Sequence, residues 1–253
     1  MNYGLWLSAA GMQVNEYRQA LVANNLANVN TVGFKHDLAV IHERRVESRS
    51  NPDAARYADP FYDHLSGGAW VRPTYHSFEQ GPLTHTGRPL DVAIQGDGFF
   101  VVREGDEIRY TRDGQVVIND EGTLVSAAGE GRIEFLDDGG NPIVVDRNRA
   151  ITISPDGTVE QDGTRVAKLN VVDVDDPQEL RKVGKNLFAA ADPATRPSGS
   201  SLHAGFIEGS TVNPVQQLAN MIEVTRSYEM NARMITLQDA INGQAVNRVG
   251  RIG

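Results

Sequence analysis

The chain has 253 residues, of which 40% are hydrophobic and 23% are charged, a balance typical of globular proteins with one or two domains. The net charge of −9 argues against nucleic-acid binding, which needs a basic surface, and the absence of cysteine excludes disulfide bonds, thiolate zinc sites and cysteine nucleophiles. No apolar stretch reaches the length that crosses a membrane, so membrane insertion is not expected.

The start of the chain, MNYGLWLSAAGMQVNEYRQ, has no basic segment and turns polar too early for a secretory signal peptide. Such a start is expected either of a cytosolic chain or of one that leaves the cell by another export route.

Residues 2–29 are predicted to form a helix, because apolar residues recur every three or four positions. Gly11 lies beside the apolar stripe, where it is either a weak point or a place of close approach between helices. The stripe has the spacing of a seam that packs against another helix and consists of Leu7, Ala10, Val14, Tyr17 and Leu21.

The predicted helix ends in ANNLANVNTVGFK, which is rich in asparagine, a poor helix former. Asn24, Asn25 and Asn28 fall on the same face as the apolar stripe. A buried asparagine in a helix seam lowers stability but sets register and partner. Alternatively, these side chains face solvent near a frayed helix end. Gly33 is expected to adopt the left-handed conformation that closes the segment.

The middle of the chain changes to a β pattern after a predicted linker with extended segments over residues 36–80. From 81 to about 208, short apolar runs rich in β-branched residues alternate with turn sequences about every ten residues, which favours an antiparallel meander or sandwich. The run DVAIQGDGFFVV is interpreted as a hairpin or corner, with Phe99 and Phe100 on opposite faces of a strand.

Helical periodicity returns over residues 212–249, where Asn213 is the expected cap and Pro214 suits the first turn. One stripe at three- and four-residue spacing consists of Leu218, Met221, Thr225, Tyr228, Ala232 and Ile235. A second stripe on another side consists of Met230, Met234, Leu237 and Ile241. A helix with two apolar faces needs at least two neighbours.

These elements predict an α+β fold. We expect a discontinuous, coiled-coil-like helical domain from residues 1–35 together with 211–253, and a mostly antiparallel β domain over 81–210 inserted between them. Helical ends that polymerise and a β domain that decorates them are typical of an assembly subunit.

Three segments resemble the flagellar axial proteins, the rod and hook family. They are LSAAGMQVNEYRQALVANNLANVNTVGFK near the start, GPLTHTGRPLDVAIQGDGFFVV with YTRDGQVVINDEGTLV in the centre, and EGSTVNPVQQLANMIEVTRSYEMNARMI near the end. In that family an asparagine-rich helix end precedes a Thr-x-Gly-aromatic-basic turn, and the residues that match it include Gly33 and Phe34. Chain length and the single β insertion resemble the rod proteins. The carboxy-terminal segment favours a proximal rod protein. The central block fits a distal rod protein as well as it fits a proximal one.

The resemblance implies a non-catalytic structural subunit of the periplasmic rod without a cofactor. Its partners would be copies of itself, other rod and hook proteins, and the flagellar type III export apparatus, which exports without cleaving a signal peptide. The candidate assembly interface comprises Leu7, Val14, Leu21, Asn24, Asn25, Asn28, Gly33, Phe34, Leu218, Met221, Thr225, Tyr228, Ala232 and Ile235.

Other functions have weaker support. The acidic clusters DVDD and DDGGN do not continue into a calcium-binding loop, and the six histidines lack metal-ligand spacing. A hydrolase with paired carboxylates is the enzyme alternative, although no spacing identifies a pair. A soluble β-domain binding module that dimerises through its helices is the second alternative, and a dimer would saturate with concentration where a rod subunit grows open-ended.

Overall fold

The computed structural model describes residues 3–43, 68–71, 74–192 and 196–249. The expected linker over 36–80 therefore lies partly outside the described residues, at 44–67 and at 72 and 73. A long helix stands at each end of the chain, α1 (Tyr3–Ala27) and α2 (Pro214–Val249), and the described residues between them form mainly short strands.

The strands before the main sheet are β1 (Asp37–Leu38), β2 (Ile41–Glu43), β3 (Ala69–Val71), β4 (Tyr75–His76), β5 (Leu83–His85) and β6 (Val92–Gln95). The next group comprises β7 (Phe99–Glu104), β8 (Glu107–Thr111), β9 (Val116–Ile118), β10 (Leu124–Ser126), β11 (Ile133–Phe135), β12 (Ile151–Ile153), β13 (Thr158–Gln161) and β14 (Thr164–Lys168). The last are β15 (Val171–Asp173), β16 (Arg181–Gly184), β17 (Leu187–Ala189), β18 (Arg196–Pro197), β19 (Ser201–Ala204) and β20 (Phe206–Glu208). One-turn 3-10 helices occupy Ala127–Gly129 and Pro177–Glu179.

The main sheet has nine strands in the order β16-β17-β8-β7-β11-β10-β9, with β15 pairing both β7 and β18. Strands β12, β13 and β14 form a three-stranded sheet, and β19 pairs with β6, β20 with β5, and β2 with β3. The strand registers are antiparallel, as in β7 against β8, where Val101 lies opposite Tyr110. The α+β fold with terminal helices and a mostly antiparallel β region is therefore confirmed.

Strand β7 carries the core because it is buried on both faces. Phe100 and Val102 belong to one apolar cluster and Phe99 and Val101 to another. Alternation of side chains along a strand accounts for this division. Both phenylalanines are thus core residues on opposite faces.

The GDG turn between β6 and β7 is a corner and not a hairpin, because β6 pairs with β19 while β7 pairs with β8. Gly96 and Gly98 have φ angles of 109° and 120°, which side chains rarely tolerate. The glycines let the chain pass from one sheet to another at this point.

The described residues divide into two compact units. The first takes its residues from Met1–Ala27, Asp37–Tyr75 and Asn213–Gly253, and the second from Asn28–His36 and His76–Val212. Strands β2 and β3 of the expected linker pair with each other within the first unit. The division into folding domains at residues 35, 80 and 210 stays a prediction, since compactness does not show which parts fold independently.

Candidate assembly surface of the terminal helices

The two long helices pack against each other through small and amide side chains. Gly4 and Gly11 of α1 lie under α2, where a Cβ atom at Gly11 would be 2.9 Å from Nδ2 of Asn231 and one at Gly4 would be 2.7 Å from Nε2 of Gln238. Counting about 100° per residue, the buried Ser8 and Asn15 share this face of α1. Close approach between the helices is therefore the role of Gly11.

The predicted apolar stripe of α1 lies beside this face and not at its centre. Val14 is buried and Leu21 half-buried, whereas Leu7 is 38% exposed. Helix α1 also packs against β3, and the hydroxyl of Tyr17 forms a hydrogen bond of 2.5 Å with Oγ1 of Thr74. The prediction of a helix–helix seam on this stripe missed the glycine face, because glycine adds no apolar signal to a periodicity count.

The first predicted stripe of α2 is mostly half-buried, and Thr225 donates a hydrogen bond of 2.8 Å to the carbonyl of Met221. Leu218 at its start is 51% exposed, whereas the half-buried members are Met221, Thr225, Tyr228, Ala232 and Ile235. The residues that lie deepest, Val224 and Gln217, were missed by the sequence reasoning. Together with Asn231 and Gln238 they recur every seven residues, and this heptad spacing was the signal available in the sequence.

The second predicted stripe of α2 is exposed along its whole length. Its four members are between 45% and 65% accessible, in the 4-3-4 spacing of a packing face: Met230, Met234, Leu237 and Ile241. Val215 and Ile222 are also exposed, nearer the start of the helix and on a neighbouring side of it. The exposed apolar stripe from Met230 to Ile241 is typical of an interaction site.

The helix cap of α2 forms as expected. Oδ1 of Asn213 accepts hydrogen bonds from the backbone N–H groups of Val215, at 3.1 Å, and Gln216, at 3.2 Å. Pro214 occupies the first helical position, where no donor is lost. Sequence reasoning alone predicted this local structure correctly.

The asparagines at the end of α1 have separate roles. Asn25 is buried, and its side chain donates to the carbonyl of Asp37 at 2.8 Å and accepts from the N–H of Asp37 at 2.9 Å. This pair of bonds ties the helix end to β1 within one chain. Asn24 is exposed, and Oδ1 of Asn28 accepts a hydrogen bond from Oγ1 of Thr31 in the turn that follows the helix.

The turn after α1 is buried within the second unit. Gly33 has a φ of 68°, as expected, and a Cβ atom there would lie 2.6 Å from the backbone of Arg112, so no larger residue fits. Phe34 is buried beneath Lys182, whose Nζ lies 4.2 Å from the ring centroid. These two predicted interface residues are thus covered by their own chain.

A buried charge network follows the turn. Nζ of Lys35 lies 2.6 Å from Oε1 of Glu208, and Nη1 of Arg112 lies 3.3 Å from Oε2 of the same carboxylate. The same Oε1 also accepts the N–H of Gly81 at 2.8 Å. Burial lowers the pKa of Lys35 and of Arg112, and Glu208 opposes both shifts. Glu208 therefore joins three separate stretches of the chain.

This network was not foreseen, although its parts stand in the sequence segments singled out above. Lys35 ends TVGFK, Arg112 lies in YTRDG and Glu208 opens EGSTVN. The Nε atom of Arg112 is buried without a hydrogen-bond partner among the described residues. Pairing between distant charges leaves no periodic signal in a sequence.

Within the described ranges, neither helix combines the length and hydropathy needed to cross a membrane. Among the same residues, no group of three or more histidine, aspartate or glutamate side chains is placed to hold a metal ion.

Comparisons with known proteins match three segments to family models. They are described as "Flagella basal body rod protein" over residues 8–35, "Flagellar hook protein FlgE/F/G D1 domain" over 93–161, and "Flagellar basal body rod FlgEFG protein C-terminal" over 203–248. The first match ends at residue 35, next to the buried turn. The last match begins at residue 203, close to Glu208.

Relatives match along nearly the whole chain. The flagellar basal-body rod protein FlgF of Caulobacter vibrioides is 37% identical over 235 residues, which cover 92% of this chain and 91% of the relative. The rod protein FlgG of Buchnera aphidicola subsp. Baizongia pistaciae is 34% identical, with 93% and 95% covered. FlgF of Mesorhizobium japonicum is 30% identical, with 99% of both chains covered.

Proposed function

The chain belongs to the flagellar basal-body rod proteins, and from this premise we propose that it is a structural subunit of the rod that assembles through its terminal helices. It resides in the flagellar basal body, and its assembly partners are other rod and hook proteins. The observation that supports assembly through the helices is the exposed apolar stripe of α2, from Met230 to Ile241. Apolar side chains in this number are stabilised when a neighbour covers them.

The exposed members of the predicted interface are the ones that face neighbouring subunits. They are Leu7 and Asn24 on α1 and Leu218 on α2, with the second α2 stripe added. The half-buried residues Met221, Tyr228 and Ile235 stabilise the pair of helices that presents them. Gly33, Phe34 and Asn25 support assembly indirectly, since each is buried within its own unit.

The role is structural and not catalytic, and copies of the chain contact one another in the rod. Export through the flagellar type III apparatus, without cleavage of a signal peptide, is part of the same proposal and rests on family membership. The position in the rod is proposed to be proximal, as the carboxy-terminal sequence favours, although relatives named FlgF and FlgG both match.

The test is crosslinking mass spectrometry on hook–basal bodies purified from the source organism. We expect crosslinks from residues 1–35 and 211–253 to other axial proteins, and the identity of the neighbours separates a proximal from a distal position. Absence of the chain from otherwise complete basal bodies overturns the proposal and favours the dimeric binding module.

A matched pair of variants tests the helical surface in cells that lack the native gene. Leu237→Lys places a charge on the exposed α2 stripe, where Leu237 is 58% exposed, and Val144→Lys makes the same change in the β region, where Val144 is 57% exposed. We expect loss of swimming with the first variant and normal swimming with the second. Equal swimming by both variants contradicts assembly through this surface.

A further inference from the structure

A groove on the first unit has no role in the packing described so far. It lies between α1 and β3 and has a volume of about 590 Å³. Its lining includes Ala9, Ala10, Val14 and Tyr17 of α1 and Trp70 of β3. The described residues that line it carry no formal charge.

The groove faces away from α2 of the same chain. Counting about 100° per residue, its lining residues on α1 lie nearly opposite the face that carries Gly4 and Gly11. The α2 stripe from Met230 to Ile241 likewise lies about 100° around its helix from Val224 and Asn231, which face α1. A chain therefore cannot place its own stripe into its own groove while its two helices stay packed.

The stripe and the groove match in length and in chemistry. The groove runs along α1 from Trp6 to Tyr17 and the stripe runs from Met230 to Ile241, eleven helical steps in both cases, or about 17 Å. Alanines in the lining leave room for the long side chains of methionine, leucine and isoleucine. The described lining of the groove and the four stripe residues carry no charge, so no ionic group among them loses its hydration when they meet.

We propose that the α1–β3 groove of one copy of this chain binds the Met230–Ile241 stripe of a second copy, a contact that rests on the rod function proposed above. The two surfaces are different, so the contact is heterologous and leaves a free groove and a free stripe at the ends of each pair. Such a contact continues beyond a dimer, either into a closed ring or into the open assembly that a rod requires.

The chain has no cysteine, so single-cysteine variants of the full-length protein report the contact directly. Ala10→Cys lies near the middle of the groove, and Met234→Cys and Leu237→Cys lie near the middle of the stripe. A mixture of a groove variant and an isotope-labelled stripe variant can form only intermolecular disulfides. A disulfide needs Cβ atoms about 4 Å apart, so it forms only where the two surfaces meet.

We expect Ala10→Cys to form a mixed disulfide with Leu237→Cys if the helices run antiparallel, or with Met234→Cys if they run parallel. Ala23→Cys, on an exposed part of α1 outside the groove, is the matched control and should remain monomeric. The proposal is overturned if Ala23→Cys forms mixed disulfides in the same yield as Ala10→Cys. It is also overturned if stripe-to-stripe disulfides predominate. A failure of both Ala10→Cys pairs at concentrations where the native chain oligomerises overturns it too.

The same pairs expressed together in cells separate this inference from the rod function. Mixed disulfides in isolated basal bodies support both. Basal bodies that contain the chain but no Ala10→Cys disulfide overturn the groove contact and leave the rod function standing. Basal bodies that lack the chain overturn the rod function.

A disulfide-independent crosslink from Ala10→Cys to residues 44–67 of its own chain would identify a different occupant of the groove and also overturn the inference.

Discussion

Single residues in this protein illustrate how burial changes the behaviour of charge. Asp113 is buried, and its Oδ1 accepts the N–H of Gln115 at 3.0 Å. Burial raises the pKa of Asp113 to about 6, and the neighbouring Asp91 adds to the rise while the backbone hydrogen bond opposes it. The folded chain therefore binds a proton at this position more tightly than the unfolded chain does.

A raised carboxyl pKa makes the folded state more stable as the pH falls from about 7 to about 4. A shift of about two units corresponds to about 3 kcal/mol. Asp113→Asn keeps an oxygen acceptor for Gln115 and removes the charge. We therefore expect this variant to be more stable than the native chain at pH 7, and the difference to shrink as the pH falls to 4. Urea denaturation at a series of pH values measures the difference.

Asp156→Asn is the control, because the carboxyl pKa of Asp156 is shifted in the opposite direction to that of Asp113. Asp156 is exposed, and hydrogen bonds from Thr158 lower the pKa of its carboxyl group. Its contribution to stability is present at neutral pH and is lost as the pH falls through the lowered pKa. An Asp113→Asn variant with the same pH profile as the native chain would contradict the first prediction.

At the scale of elements, α1 meets α2 at a face that carries glycine and amide side chains beside the apolar ones. The contact places Asn231 above Gly11 and Gln238 above Gly4. Glycine in a helix interior lowers helix stability by about 1 kcal/mol relative to alanine. Its presence here follows from the side-chain amides of α2, which lie directly against the two glycines.

Gly11→Leu should therefore weaken the helix pair even though leucine is the better helix former. The added side chain meets Asn231, and overpacking of this kind costs about 1–3 kcal/mol. We expect faster amide hydrogen exchange in α1 and α2 and unchanged exchange in β7 and β8. Hydrogen-exchange mass spectrometry on the full chain measures both regions.

Gly243→Leu on α2 is the matched control, because a Cβ atom at Gly243 would have no neighbour within 4 Å. Helix propensity then acts alone, and exchange in α2 should slow or stay the same. If both leucine variants protect the helices equally, Gly11 is not a packing position.

At the scale of the whole molecule, the two units differ in how they bury apolar surface. The second unit has a strand buried on both faces between two apolar clusters. The described part of the first unit exposes the Met230–Ile241 stripe and pairs its helices through small and amide residues. The helical ends thus gain less from folding alone than the β region does.

We expect limited proteolysis of the dilute protein to remove both ends while a core near residues 36–208 survives. Assembly should protect the ends, since neighbours then supply the missing burial. Mass spectrometry of the fragments, before and after assembly, measures this. Uniform resistance along the monomeric chain would contradict the prediction.

Local features were predictable from the sequence because they depend on neighbours in the chain. Asn213 and Pro214 begin α2 as expected, and Phe99 and Phe100 lie on opposite faces of β7. Predicted helix ends were off by about two residues, since α1 ends at Ala27 and the turn at Asn28 follows. Capping and alternation act over a few residues, so a sequence pattern reveals them.

The sequence by itself determined that the ends are helical, that the middle is an antiparallel β region, and that α2 carries two apolar stripes. Only the tertiary structure decided which stripe stays exposed, that Gly11 marks the helix contact, and that Asn25 binds the backbone of Asp37. It also brought Lys35, Arg112 and Glu208 together. Periodicity records which residues share a face of an element, whereas the partner of that face is set by the packing of residues that are distant in the chain.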